Sequence, residues 1–119
     1  MTLHFTVLNR EESDAGVASV REVKGYLTTN TRLDGSLGAV FVKIGKPGTS
    51  EALIDEWAKV ASIALQHGAS VDGLFGTHVG TRFDPSGAVL GVKGIKTCTS
   101  LLDLISRFLI ERYGTKEAT

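Results

Sequence analysis

Cysteine is all but absent from this chain: Cys98 stands alone among 119 residues. One thiol excludes an intrachain disulfide, a cysteine-built zinc site and any dithiol redox pair. Net charge is missing too, because thirteen Lys and Arg are offset by thirteen Asp and Glu and neither sign forms a long block. That balance argues against the broad basic footprint needed by a nucleic-acid polymer or an anionic membrane. A small anion held by two or three local cations stays open. No apolar run approaches the roughly 18 residues of a membrane helix, and the opening residues lack the basic segment and the apolar stretch of about 7–15 residues that mark a signal peptide. A cytoplasmic domain is the expectation. His4, His67 and His78 share no spacing that would place two on one metal, so ordinary structural or surface roles are expected, and neither a metal nor another cofactor is implied.

What is present suits one ordinary globular unit. At 42% hydrophobic and 22% charged, the chain can bury a core without staples. Residues 3–8 are rich in strand formers and read as an edge strand, followed by a polar loop over residues 9–16. Residues 17–23 and 26–31 are further strand candidates, with Gly25 marking a bulge or a close approach between them. Asp34-Gly35 is a hairpin signal, since Gly accepts the positive φ that the turn demands. Residues 39–44 complete the hairpin, with Val40, Val42 and Ile44 on one face and Ala39, Phe41 and Lys43 on the other.

Residues 45–48 end the sheet, and Thr49 or Ser50 is expected to cap a helix reaching Gln66, with Gly68 as its left-handed stop. Its polar positions Glu51, Asp55, Lys59, Ser62 and Gln66 form a narrow stripe. A short helix begins near Ser70 or Val71, and a glycine-punctuated stretch covers residues 76–94. The last helix begins near Thr99 or Ser100, where Ser100 and Asp103 make a weaker capping box, and runs to Tyr113 with Gly114 as its cap. Residues 115–119 read as a frayed tail. The fold class is therefore α+β: a three- to four-stranded antiparallel meander, then two main helices and one short helix packed on the sheet. Both long helices are apolar over most of their circumference, so either they pack on each other as well as on the sheet or a second subunit covers them, and a homo-oligomer is the favoured expectation.

Few constellations carry chemistry. The glycines between Gly87 and Gly94 lack a following Lys-Ser/Thr and a parallel βαβ frame, so they form no P-loop. Asp103, Arg107 and Glu111 at i, i+4 spacing read first as a surface ion-pair ladder, with a functional role for Arg107 as the rival reading. The unusual run is Gly80-Thr81-Arg82-Phe83-Asp84-Pro85-Ser86-Gly87, where a cation, an aromatic face, a carboxylate and a hydroxyl share one turn. Arg82 and Phe83 suit a phosphate and a stacked base, with Ser86 adding a contact. The competing structural reading, stronger on spacing alone, has Phe83 plugging the core and Arg82 paired with an acid.

That run resembles the His-Thr-Arg-Phe-Glu-Pro-Ser-Gly stretch in the C-terminal region of adenosylcobalamin-dependent (class II) ribonucleotide reductases. Gly25-Tyr26-Leu27-Thr28, Asp34-Gly35 and Phe41-Val42-Lys43-Ile44-Gly45-Lys46 are similar to that family's Gly-Tyr-Ile-Thr, Asp-Gly and Phe-Ile-Lys-Met-Gly-Lys. Leu53-Ile54-Asp55, residues 62–68, and Ser100-Leu101-Leu102-Asp103 with Arg107 continue the likeness, which covers about residues 20–113. Gly80 departs from the family's His, Ser36-Leu37 from its Arg-Pro, and Ala39 from its Glu. The family's radical-generating barrel, catalytic cysteines and cobalamin site have no counterpart in the stretch that matches. The resemblance thus implies a stand-alone relative of that C-terminal domain, without ribonucleotide reduction of its own.

Short proteins of this kind also occur in bacteriophages, and there the expected role is a non-catalytic sponge that binds a nucleotide-like anion as an anti-defence device. The candidate ligand-binding residues are Arg82, Phe83, Asp84, Ser86, Lys43, Lys46 and Arg107. A second reading is an accessory protein docking on a ribonucleotide reductase subunit. A third is a hydrolase of a phosphate-containing ligand built on Asp84, His78 and Arg82.

Overall fold

The computed structural model describes residues 1–12, 15–45 and 49–115, with side chains given outside residues 49–51. Ser13, Asp14, Lys46, the turn over 46–48, the caps expected from Thr49 or Ser50, Glu51 of the polar stripe and the tail beyond 115 lie outside what is described. The elements run β1 (Thr2–Glu12), β2 (Ala18–Thr31), β3 (Leu37–Ile44), α1 (Thr49–Gln66), α2 (Val71–Gly76), β4 (Gly87–Leu90), β5 (Thr97–Cys98) and α3 (Leu101–Tyr113). The α+β class agrees with expectation, but the sheet has five antiparallel strands in the order β3-β2-β1-β4-β5.

Two expectations change with that order. β1 is the central strand, not an edge, because β4 pairs along its free side from Thr6↔Leu90 to Asn9↔Gly87. β2 is one continuous strand across Gly25. Gly25 is the site of a close approach: a Cβ there would lie 2.7 Å from the Lys43 carbonyl oxygen and 2.9 Å from Phe5 Cζ. The register shift falls instead at Asn30/Thr31, next to the hairpin.

Alternation sorts the strands as their sequence demands. Phe5 and Val7 of β1, Val23 and Leu27 of β2, and Val40 and Val42 of β3 are buried, while Tyr26, Phe41 and Lys43 stand exposed on the opposite face. The turn at Gly35 (φ +87°) is fastened by Asp34 Oδ1, which accepts from Ser36 N and Oγ at 2.9 and 2.6 Å. Those bonds hold the exposed Asp34 carboxyl below its usual range.

α1 packs on β3 and α2 against α3, and Leu101, Leu104, Ile105 and Leu109 of α3 join the single core. Gly68 takes the left-handed conformation expected after α1 (φ +93°), and Arg32 reaches across to donate from Nη2 to the Leu65 carbonyl at 2.6 Å. A cation there also meets the negative end of the helix dipole. The polar stripe expected along α1 is only part of its solvent face: Lys59 and Gln66 are exposed and Asp55 is half-buried, but Ser62 is not a surface residue. Ser62 is buried, and its hydroxyl accepts from Val40 N and donates to Val40 O, both at 2.9 Å. One hydroxyl thereby satisfies an outward-facing amide and carbonyl of edge strand β3. Leu53, Val60 and Ile63 face solvent as well, at 64%, 65% and 56% exposure.

Candidate functional site

The unusual 80–87 run forms a turn between α2 and β4 that is fastened at four points. Gly80 (φ +85°) donates its N–H to Asp103 Oδ1 at 2.8 Å. The Thr81 carbonyl accepts from Thr99 Oγ1 at 2.9 Å, and Phe83 N donates to Thr99 O at 3.1 Å. Ser86 N donates to Oδ1 of the buried Asn9 at 3.0 Å. At the far end Gly87 (φ +132°) lies so close to β1 that a Cβ would sit 2.4 Å from the Leu8 carbonyl oxygen.

Asp103 is the hub beneath this turn. It is 3% exposed and also accepts from Thr99 N at 3.1 Å and from Arg107 Nη1 at 3.1 Å. Burial alone would raise its pKa, but the Gly80 and Thr99 amides and the Arg107 guanidinium outweigh that and hold the carboxyl below its ordinary value. The surface ladder expected of Asp103, Arg107 and Glu111 is therefore corrected. The upper rung is a buried anchor, Arg107 divides its Nη1 between Asp103 and the Thr97 carbonyl, and Glu111 makes no ion pair among the described residues. Half of the capping box is present: Ser100 Oγ accepts from Asp103 N at 2.9 Å, while the Asp103 carboxylate is spent on the turn.

The fastened turn leaves an open cleft of ≈ 500 Å³, walled by residues 82–84 and 86–87 and by Cys98 and Thr99. Arg82 is exposed and, among the described residues, has neither an ion pair nor a hydrogen bond, so the acid partner of the structural reading is missing. Phe83 is half-buried and packs against the core, as that same reading expects. Asp84 is exposed and accepts from Ser86 Oγ at 3.1 Å. Cys98 closes the inner end, and burial pushes its thiol up, so it is protonated at neutral pH.

Four of the sequence-derived ligand residues, Arg82, Phe83, Asp84 and Ser86, thus share one cleft. Lys43 does not: β3 lies three strand spacings from β4, about 14 Å, and Lys43 sits beside Tyr26 on the open sheet face. Arg107 opens onto a different groove, and Lys46 is outside the described residues. Sequence reasoning missed Asn9 and Thr99, which carry no motif and matter only through contacts distant in the chain. His78 does not line the cleft, and its Nε2 accepts from Trp57 Nε1 at 3.1 Å. Among the described residues no group of three His, Cys, Asp or Glu side chains is placed to hold a metal ion. No described helix is long and apolar enough to cross a membrane.

Comparison with known proteins agrees with the resemblance read from the residues. The TSCPD domain family model matches residues 6–113, so the likeness reaches back into β1. The vitamin B12-dependent ribonucleotide reductase of Bradyrhizobium diazoefficiens is 37% identical over 94 residues, covering 78% of this chain and 8% of that protein. The protein of the same name from Agrobacterium fabrum is 33% identical over 106 residues, covering 88% of this chain and 8% of its own length. In Streptantibioticus cattleyicolor the figures are 30% over 92 residues, 76% and 15%. The chain therefore spans only 8–15% of the length of these relatives. No solved structure gives a significant match.

Proposed function

The chain belongs to the TSCPD domain family, and from that premise we propose that it is a non-catalytic binding domain whose Arg82–Phe83 turn holds a nucleotide-like anion. The observation that carries this reading is an unpaired guanidinium on a turn fastened by Asp103, Thr99 and Asn9. An exposed Arg with no partner contributes little to stability, whereas on a turn whose backbone is already fixed only its own side chain remains to be ordered when it meets a phosphate. Phe83 beside it supplies a ring edge or face for a base, and Ser86 a hydroxyl. Binding without turnover would withdraw a free nucleotide signal from solution, which is the sponge type of anti-defence activity.

Isothermal titration against a panel of nucleotides and cyclic nucleotides tests the reading, and silence across the panel would sink it. Arg82→Ala should abolish the heat of binding and shift the melting temperature by no more than about 2 °C, since an exposed substitution of this kind costs under ~0.5 kcal/mol. A large loss of stability would instead make Arg82 a structural residue.

A second reading, docking on a ribonucleotide reductase or on another copy of the chain, is favoured by the exposed row Leu53, Val60 and Ile63 on α1. Co-purification of a reductase subunit supports the first partner, and a monodisperse dimer in light scattering the second. The hydrolase reading has no such support, because His78 is engaged by Trp57 away from the cleft.

A further inference from the structure

A concavity larger than the Arg82 cleft lies elsewhere among the described residues. It is a groove of ≈ 1350 Å³ between the C-terminal half of α3, the β4–β5 connection and the ends of β1 and the β2–β3 hairpin. Typical small-molecule pockets occupy about 300–1,000 Å³, so the groove has room for a ligand of nucleotide size. Three cationic side chains line it, Lys93, Arg107 and Arg112, against one carboxylate, Glu111. Among the described residues neither Lys93 nor Arg112 has an acid within salt-bridge reach, and Arg107 commits only one of its nitrogens. Lys93 and Arg112 thus leave two unpaired positive charges in one groove on a chain whose overall charge is zero.

The groove is also lined by Phe108 and Tyr113. Tyr113 is fixed by a 2.8 Å hydrogen bond between its hydroxyl and Thr29 Oγ1, so its ring is already immobilised. Aromatic rings beside cations that lack an acid partner, Lys93 and Arg112, suit a ligand that joins a planar ring to phosphate. Glu111, also unpaired, is an acceptor for sugar hydroxyls.

We propose that this groove is a second binding site, separate from the Arg82 cleft, for a nucleoside di- or triphosphate. Lys93, Arg107 and Arg112 hold the phosphates, and Phe108 and Tyr113 meet the base. The two sites are linked, because Arg107 in the groove bonds the same Asp103 that fastens the Arg82 turn. Arg107 is for that reason a poor target for substitution, and the test uses the two cations without an acid partner, Lys93 and Arg112, the second of which lies 6.0 Å from the centre of the Tyr113 ring.

The experiment is an amide NMR titration of the full chain with ATP, with adenosine as the control that lacks phosphate. ATP should shift the amides of residues 91–95 and 107–113, and adenosine should bind there at least about ten-fold more weakly, since charge-assisted contacts dominate such affinity. The double variant Lys93→Ala, Arg112→Ala should weaken these groove shifts by at least about ten-fold while its melting temperature stays near that of the parent. Arg82→Ala should leave the groove shifts in place. ATP shifts confined to residues 81–87 and 97–99, groove shifts insensitive to the double variant, or equal binding of adenosine would each overturn the second site. Shifts in the groove alone would support it while removing the function assigned to the Arg82 cleft, so the two readings fail separately.

Discussion

Replacing Asp103 with Asn is the sharpest test of how the cleft is held. Asn keeps the shape and one acceptor oxygen, which suffices for one backbone donor. With that oxygen toward Gly80 the amide group faces Thr99 N and Arg107, which share the other oxygen and lose their partner; with it toward Thr99 and Arg107, the Gly80 N–H meets the amide group. Hydrogen bonds to a charged group contribute about 1.5–3 kcal/mol each. Arg107 is 36% exposed and can turn toward water, which recovers part of the loss. The net cost should be about 2–4 kcal/mol, or a fall of about 8–16 °C in melting temperature for a domain of this size.

The pH dependence gives the same substitution a second, independent readout. The folded carboxyl titrates below its unfolded value of about 3.9, so its contribution is fully present above that pH and is lost as pH falls through the folded value. A protonated Asp resembles Asn. The gap between wild type and Asp103→Asn should therefore be constant from about pH 7 to pH 5 and contract on acidification toward about pH 2. Thermal or urea melts across that range measure it. A gap below about 1 kcal/mol at neutral pH, or one that widens in acid, would refute the reasoning.

Three further outcomes follow from the geometry. Ser62→Ala strips both partners from the outward amide and carbonyl of Val40 and should cost about 2–4 kcal/mol in urea denaturation. Gly87→Ala places a Cβ 2.4 Å from the Leu8 carbonyl at φ +132°, and at a cost of at least ~2 kcal/mol it should abolish amide protection in β4 before that in β2. Leu53→Glu with Val60→Glu alters only exposed positions; it should leave the melting temperature within about 2 °C while dissolving any self-association seen by light scattering.

The parts legible in the sequence were those governed by local rules. The Asp34-Gly35 hairpin, the alternation of Val40, Phe41, Val42 and Lys43, and the Ser100 cap all depend on residues within a few positions of one another. β4 and β5 escaped because Gly87–Leu90 and Thr97–Cys98 are too short to show a period. Without them β1 looked like an edge. Asp103 was misplaced for a related reason: helix periodicity grouped it with Arg107 and Glu111, while its burial comes from the turn at Gly80, 23 residues upstream, folding over it. Ser62 was read as solvent-facing for want of any local sign that an edge strand needs its hydroxyl. The four cleft residues were found together because they are adjacent in the chain, and Lys43 was wrongly grouped with them by similarity of charge alone.

The central place of β1 has a kinetic consequence. β1, β2 and β3 meet through short connections, but Thr6 pairs with Leu90, across most of the chain. Long-range pairings pay their loop-closure entropy before any contact repays it, and so form late. Until β4 docks, one side of β1 presents unsatisfied amides and carbonyls, an open template for pairing with another chain. In pulse-labelled refolding, amides of β2 and β3 should gain protection before those of β4. The turn bearing Arg82 hangs on that closing strand, so a nascent chain acquires a sheet before it acquires a place for a ligand.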